Sequence, residues 1–546
     1  MHSGSVPQAA FEPGEPQLAA KVRIYAQALS AYRAGALDAA AFRTLRIQAG
    51  VHLQRAPSDR YMVRVKVPYG VASALQLRAL AAACRHGDSR LHLTTRQSVE
   101  FHDVPQERTV DLLAELAEAG LTTWNAGGNS IRNVVGCPLL GTCTYQWFDA
   151  VPTARSLTRD CLGYAPVQHL PRKLKVGLSG CSADCAAARL QDVGLVATDH
   201  GGDRGFRAFV GGGIGANPAV GVPLAACVPE ADAATFLQAV AQVFDRLGNR
   251  QNRHRARLKW LVAEMGTERF QAEVAKACDA QGVTGIIWSQ PDEPATAAAL
   301  MPASEAPSGA IDPRWARHRL RSERDGAWAV SLPWPAGRLS PDDARAIADW
   351  SEEFGSGCLS ITPSQEVVIR GVSSAGIEGL HLAIRNSMPD QLLAQVPVVS
   401  CPGAPYCNLA ITRPQDLALQ IADVLAAEAR LTNLPGPEGL VVRVSGCPHS
   451  CSHARFAGIG LIGGSLKLGR RSVPVYTLLV GGSEDREHPT AAAVTVRVPA
   501  RRVPEAIVRL VRAYATDHED DEPFAEWSSR RLLPELTRKK EESRRG

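Results

Sequence analysis

The stretch CPGAPYC, residues 401–407, followed by SGCPHSC, residues 445–451, places two cysteine pairs with five and three residues between their members. The first half of the chain repeats the arrangement, as CPLLGTC at 137–143 and SGCSADC at 179–185. Four thiolates on two short clips, about forty residues apart, are enough to hold an iron–sulfur cluster. The recurrence means that the fold repeats one unit, so each half can be read against the other.

The repeat extends outward from the cysteines. YMVRVKVPYG (Tyr61–Gly70) alternates as a strand does, Ala72–His86 is a helical run, and LHLTTRQSVEFH (Leu91–His102) reads as a second strand. In the second half Ala327–Pro333 reads as a strand. Ser340 then caps a helix that begins at Pro341, with Asp342 and Asp343 in the first turn, where the helix dipole favours them. SITPSQEVVIRG (Ser360–Gly371) supplies the next strand. Each half then runs into its clips, a glycine-rich turn (Gly211–Gly213 against Gly481–Gly482) and an amphipathic helix. Residues 290–312 are rich in Pro, Ala and Ser without periodicity and read as a linker, and the charged end TRKKEESRRG reads as a disordered tail. The expected fold is α+β, a pseudo-two-fold duplicated protein with two small strand–helix–strand units and two larger cysteine-bearing units. The expected division is an extension at 1–50, small unit 51–125, large unit 126–285, linker 286–313, small unit 314–395, large unit 396–535 and tail 536–546.

At 546 residues the chain exceeds one ordinary core, so several domains are expected. Its 45% apolar and 21% charged residues are those of a soluble globular protein. Thirteen cysteines at short spacings, with no secretory signal, argue against a disulfide scaffold and for metal ligation in a reducing compartment. Met1–Pro16 has no apolar core segment, and no run of about 18 uncharged apolar residues exists to span a bilayer. The expected location is cytoplasmic, without a membrane partner. A net charge of +5 suits an acidic protein partner or an anionic cofactor, but is too weak to imply nucleic acid.

Zinc clips favour two to four intervening residues, so a spacing of five beside three fits zinc poorly. Buried unligated thiols are the other bland reading. Around the second-half set, Pro402, Gly403, Gly446 and Pro448 bend the backbone about the cysteines, which favours ligation. Thiolate-rich sites suit iron–sulfur clusters.

CPGAPYC and SGCPHSC, with LTTRQ (93–97), IRNVVG (131–136) and LPRKLK (170–175), resemble in order the signatures of the siroheme-containing, ferredoxin-type sulfite and nitrite reductases. The resemblance covers roughly residues 50–535. It implies two ferredoxin-like small units and two larger siroheme and 4Fe-4S units. It further implies a 4Fe-4S cluster on Cys401, Cys407, Cys447 and Cys451, the last bridging to siroheme iron, and catalytic cations Arg64, Arg132, Lys173 and Lys175. Thr94, Arg96 and His102 match family cofactor contacts, while His92 stands where some relatives place Arg. The implied activity is a six-electron reduction, of sulfite to sulfide in preference to nitrite to ammonia, because nitrite-specific relatives tend to carry Asn where this chain has Lys175. No flavin or nicotinamide module is present, so electrons come from a separate donor, a ferredoxin or a flavoprotein reductase. An oxygenase of cobalamin synthesis, similar to precorrin-3B synthase, and a non-catalytic iron–sulfur electron carrier are the alternatives. Neither needs the four cations.

Residue types support the anion-site reading. Arg stays charged and binds oxygens bidentately, and a buried Lys is a ready proton donor. Aligning the repeats sets Ala329 opposite Arg64, Val396 opposite Arg132, Gly439 opposite Lys173 and Val441 opposite Lys175. The cations therefore belong to one half only, and the active site is expected where they face the second-half thiolates. The mirror site would pair the first-half thiolates with an apolar wall. Cys137, Cys143, Cys181 and Cys185 are read as a second cluster site, an unused thiol set, or a site for another metal. The basic run Arg250, Arg253, Arg255, Arg257 and Lys259 either binds cofactor carboxylates or faces solvent. The Gly211–Gly215 turn lacks the spacing of a dinucleotide loop and reads as backbone approaching a cofactor.

Overall fold

The computed structural model describes residues 8–534 except 56, 58, 165–167, 289–310, 312, 389–395, 429–439, 484–490 and 520–521. Most of the expected linker, all of the expected tail and Gly439 lie outside the described residues. Helices Pro16–Arg33 and Ala39–Gln48 precede the first sheet.

Each half contains a small antiparallel sheet and a larger mixed one. The first small sheet runs Val51–Leu53, Arg60–Lys66, Ser98–Pro105, Leu91–Leu93, and ends in Arg338–Leu339 from the other half. The second runs Leu320–Ser322, Trp328–Pro333, Glu366–Val372, Cys358–Ile361, and ends in Val71–Ser73 from the first half. The two halves thus exchange edge strands. Each exchange covers a sheet edge that would otherwise present unpaired backbone groups. The helices Ala74–Ala83 and Pro341–Glu353 follow these strands, and both are capped by serine: Ser73 accepts from Gln76 N–H and Ser340 from Asp343 N–H, each at 3.1 Å.

The larger sheets start with the strands that carry the clips. Ile131–Gly136 pairs in parallel with Leu174–Ser179, and Val398–Ser400 in parallel with Val442–Ser445. Val176 lies opposite Val193 as Val442 lies opposite Ile459. Two halves built to one register, as the sequence repeat predicts, give the α+β duplicated fold.

Three details differ from the sequence reading. LHLTTRQSVEFH is a hairpin of Leu91–Leu93 and Ser98–Pro105, not one strand. Its turn is held by the Thr94 hydroxyl, which accepts from Arg96 N–H (3.3 Å) and Ser98 N–H (3.0 Å), with Gln97 at φ 50°. Apolar residues flank the turn on both sides, so their alternation hides it. SITPSQEVVIRG is the matching hairpin, split after Ile361. In addition, Arg64 pairs with Glu100 and Ser331 with Val368, while the turns Pro68–Gly70 and Pro335–Gly337 correspond. Ser331, not Ala329, is therefore opposite Arg64. The distance to the turn fixes the register, which alternation alone cannot do. The absence of a cation there is unaffected.

A buried ion pair also fastens one half to the other. Arg370 and Glu323, each with a side chain 1% exposed, meet at 3.1 Å in the second half. Both also bond Thr142, and Arg370 Nη1 donates to the Leu140 carbonyl at 3.1 Å. The first-half clip loop is thereby clamped from across the pseudo-two-fold.

Candidate functional site

The second-half cysteines sit on two turns that begin where adjacent parallel strands end. Gly446 N–H donates to Cys401 Sγ at 3.2 Å. The backbone N–H groups of Leu409 and Ala410 point at Cys407, and that of His449 at Cys447. Burial raises the Cys401 thiol well above its ordinary value, with Cys451, Cys407 and Cys447 adding to the rise, and burial lifts Cys447 to about 11. The four thiols therefore share one neighbourhood. Among the described residues no three His, Cys, Asp or Glu side chains close on a single-ion site.

Pro414, at the start of helix Pro414–Ala426, packs directly beneath the clips. Gly403 has φ +62°, and a Cβ there would overlap Pro414 Cδ. Gly403→Ala should cost about 2–5 kcal/mol from left-handed strain plus overpacking. A drop in melting temperature with lower iron content would be the readout.

Facing these turns is a wall of cations from the first half. Arg64 donates to Glu100 (2.7 Å) and, with Arg132, to the Ala126 carbonyl (3.1 and 2.6 Å). Lys173 and Lys175 flank Leu174 and turn to the same side, with the Lys175 backbone N–H held by Asp192 at 2.8 Å. Burial first, then Arg257 and Arg132, hold Lys173 down at about 7, while Cys451 opposes this. Burial and Arg96 push Lys175 well below the usual lysine range, again against Cys451. Arg132 is lowered well below its ordinary value by burial and then by Arg64 and Arg96. Lys173 and Lys175 thus lie within electrostatic reach of Cys451, Arg132 within reach of Lys173, and Arg64 within reach of Arg132. The halves also touch directly here, where Thr95 Oγ1 donates to the Cys451 carbonyl at 2.9 Å.

The remaining expected residues divide. Arg96 joins the wall: its guanidinium donates to Gln191 at 2.7 Å, its Nε is buried without a hydrogen-bond partner, and burial lowers it to about 9. The Thr94 hydroxyl accepts the two turn bonds described above. His102 lies behind the wall, stacked on Tyr406 of the CPGAPYC clip at 4.1 Å, and burial holds it neutral with a pKa of about 3. His92 meets Gln415 at 2.9 Å.

The basic run splits in the same way. Arg257 turns inward to a bidentate pair with the fully buried Asp192, while Arg250 and Arg255 pair with the outer carboxylates Asp245 and Glu264. Sequence reasoning missed Asp192 as the anchor of the wall, because nothing in QDVGL distinguishes it from a loop aspartate. The turn at Gly212 packs on the carbonyls of Arg189 and Gln191, so closely that a Cβ would collide with both.

A duplicated α+β fold that sets a four-thiol frame against a half-buried cationic wall defines a class, the cluster-bearing oxidoreductases of small nitrogen or sulfur oxyanions. The family description "Nitrite and sulphite reductase 4Fe-4S domain" matches residues 127–281 and 395–531, and "Nitrite/Sulfite reductase ferredoxin-like half domain" matches 52–119 and 321–386. The chain belongs to this nitrite and sulfite reductase family. It is 27% identical to the assimilatory ferredoxin-dependent nitrite reductase of Haloferax mediterranei, over 88% of this chain and 83% of that one. It is 28% identical to the ferredoxin–nitrite reductase of Synechococcus elongatus, over 85% and 88%. The solved structure of the Mycobacterium tuberculosis NirA protein has the same fold, with a TM-score of 0.80 at 24% identity over 95% of this chain and 96% of that one.

The family carries siroheme and a 4Fe-4S cluster, and the residues present fit both. The second-half thiols have the N–H donors that ligating sulfurs accept. The wall gathers Arg64, Arg96, Arg132, Lys173, Lys175 and Arg257, each half-buried, around the buried carboxylates Glu100 and Asp192. Such an excess of half-enclosed positive charge suits a polycarboxylate tetrapyrrole. Among the described residues no helix is long and apolar enough to cross a membrane.

Proposed function

We propose that the chain reduces nitrite to ammonia with electrons from a ferredoxin, at a siroheme held between the cationic wall and Cys451. The observation that carries the oxyanion chemistry is the convergence of Arg64, Arg132, Lys173 and Lys175 opposite that thiol. Bound siroheme supplies the iron on which the oxyanion is reduced, and the cluster on Cys401, Cys407, Cys447 and Cys451 supplies electrons singly. Arg64 and Arg132 hold the anion's oxygens, their own geometry fixed by Glu100 and the Ala126 carbonyl. Lys173 Nζ, poised at about 7, gives and regains a proton at neutral pH. Arg96, from the Thr94-held turn, is placed for cofactor carboxylates, while His102 supports the clip through Tyr406.

Two considerations favour nitrite. The relatives that match over most of the chain are named as ferredoxin-dependent nitrite reductases. Moreover, the preference for sulfite rested on an additional charge at Lys175, and burial beside Arg96 suppresses that charge. Sulfite is the second reading, favoured by the presence of Lys175 at all. Assays of both anions with one chemical reductant separate the two. A kcat/KM for nitrite about tenfold or more above that for sulfite, a difference of about 1.4 kcal/mol, supports the proposal, and the reverse ratio supports sulfite. Because the charge on Lys175 is already suppressed, Lys175→Asn should move the ratio by less than about threefold. A shift of about tenfold towards nitrite would mean that Lys175 is charged and selects for sulfite.

A further inference from the structure

The first-half cysteines do not lie in an idle copy of the clips. Gly180 N–H donates to Cys137 Sγ at 3.4 Å, as Gly446 does to Cys401 at 3.2 Å. The N–H groups of Tyr145 and Gln146 point at Cys143, as those of Leu409 and Ala410 point at Cys407. The turns close identically: Cys143 N–H bonds the Leu139 carbonyl at 2.9 Å and Cys407 N–H that of Gly403 at 2.8 Å, while Asp184 and Ser450 each bond back at 3.2 Å to the carbonyl three residues earlier. Even the left-handed backbone is copied, with φ 44° at Asp184 and 47° at Ala187 against 50° at Ser450 and 66° at His453.

These features have a physical cost without a ligand. Each left-handed non-glycine residue costs about 1–2 kcal/mol. A neutral thiol is a weak acceptor, so the Gly180 and Tyr145 N–H groups aimed at thiols are poorly satisfied (that of Gln146 also bonds the Cys143 carbonyl at 3.4 Å), whereas thiolates give charge-assisted bonds. Cys137 also lies in hydrogen-bonding reach of Cys185 and within electrostatic reach of Cys181. The frame is rigid, because Arg370 and Glu323 clamp the loop that ends at Cys143. It also has a way in: Cys185 lines a cavity of about 90 Å³ open to solvent, together with Arg443 and His453 of the second half. The wall facing this copy is therefore not apolar, as the sequence had suggested.

We propose that Cys137, Cys143, Cys181 and Cys185 hold a second cluster of the 4Fe-4S type, so that each half of the molecule carries one. A rigid thiolate frame, donors aimed at sulfur and solvent access are what assembly of such a site requires. The inference is independent of which oxyanion is reduced.

The test is iron, acid-labile sulfide and zinc per chain in the full-length protein, purified without oxygen and reconstituted with ferrous iron and sulfide. Two cubanes and one haem give about nine irons and eight sulfides, against about five and four for a single cluster. A Cys181→Ser/Cys185→Ser double variant should lose about four of each while keeping its haem absorption. Wild-type protein that stays near five irons, takes up zinc instead, or shows a Cys137–Cys185 disulfide by mass spectrometry would overturn the proposal. The wild-type count decides the matter even where the double variant fails to fold.

Discussion

Cys451→Ser is expected to cut oxyanion turnover by about a thousandfold or more while leaving the chain folded. Cys451 is exposed in the polypeptide, unlike the buried Cys447, and contributes no apolar burial to the core. Its backbone is fixed from the first half by the Thr95 hydroxyl on its carbonyl, a contact that serine preserves. What serine lacks is the soft thiolate that is proposed to be shared between the cluster and the haem. The variant should therefore melt within a few degrees of the parent and lose spectroscopic coupling between the two centres. Intact coupling in this variant would show that the bridge is assigned to the wrong thiol. Cys401→Ser should differ, because Cys401 accepts the Gly446 N–H inside the packed clip, and stability should fall together with iron content.

The second large effect is expected at Lys173. Burial, Arg257 and Arg132 bring its pKa to about 7, so the protonated form predominates below that pH and declines about tenfold per unit above it. If Lys173 passes the proton, turnover falls as pH rises through about 7. Lys173→Arg keeps the charge but cannot release it. That variant should lose about 100-fold or more in kcat, retain much of its substrate affinity, and show no limb near pH 7. A limb that persists would assign the proton to another group. The same depressed pKa has a consequence for the cofactor-free chain. Between about 7 and the ordinary lysine value near 10.4 the unfolded state binds one more proton than the folded one, so stability should rise with pH across that window.

Much of this was legible in the sequence, for identifiable reasons. The clips were visible because ligand spacing is local, and the duplication because two copies of one spacing do not arise by accident. The wall was visible through Arg132 and Lys175, which sit in strands where charge among apolar neighbours stands out, and Lys173, just before the second of these strands. What escaped notice depends on contacts distant in sequence. The turn at Thr94–Gln97 was hidden by apolar residues on both sides, although it is this turn that delivers Arg96. Asp192 was unreadable because its role is set by Arg257, sixty-five residues away, and by a single backbone N–H of Lys175. His102 stacks on Tyr406, about three hundred residues later, and no local pattern announces such a stack.

The account rests on first-half cations meeting second-half sulfur across one tetrapyrrole, and cofactor content together with turnover tests this most directly. Protein expressed with ample iron and tetrapyrrole supply should carry about one siroheme per chain and reduce nitrite, and an Arg96→Met variant should bind the tetrapyrrole more weakly while keeping its iron–sulfur absorption. A colourless, inactive product under those conditions, or haem content indifferent to Arg96, would contradict it.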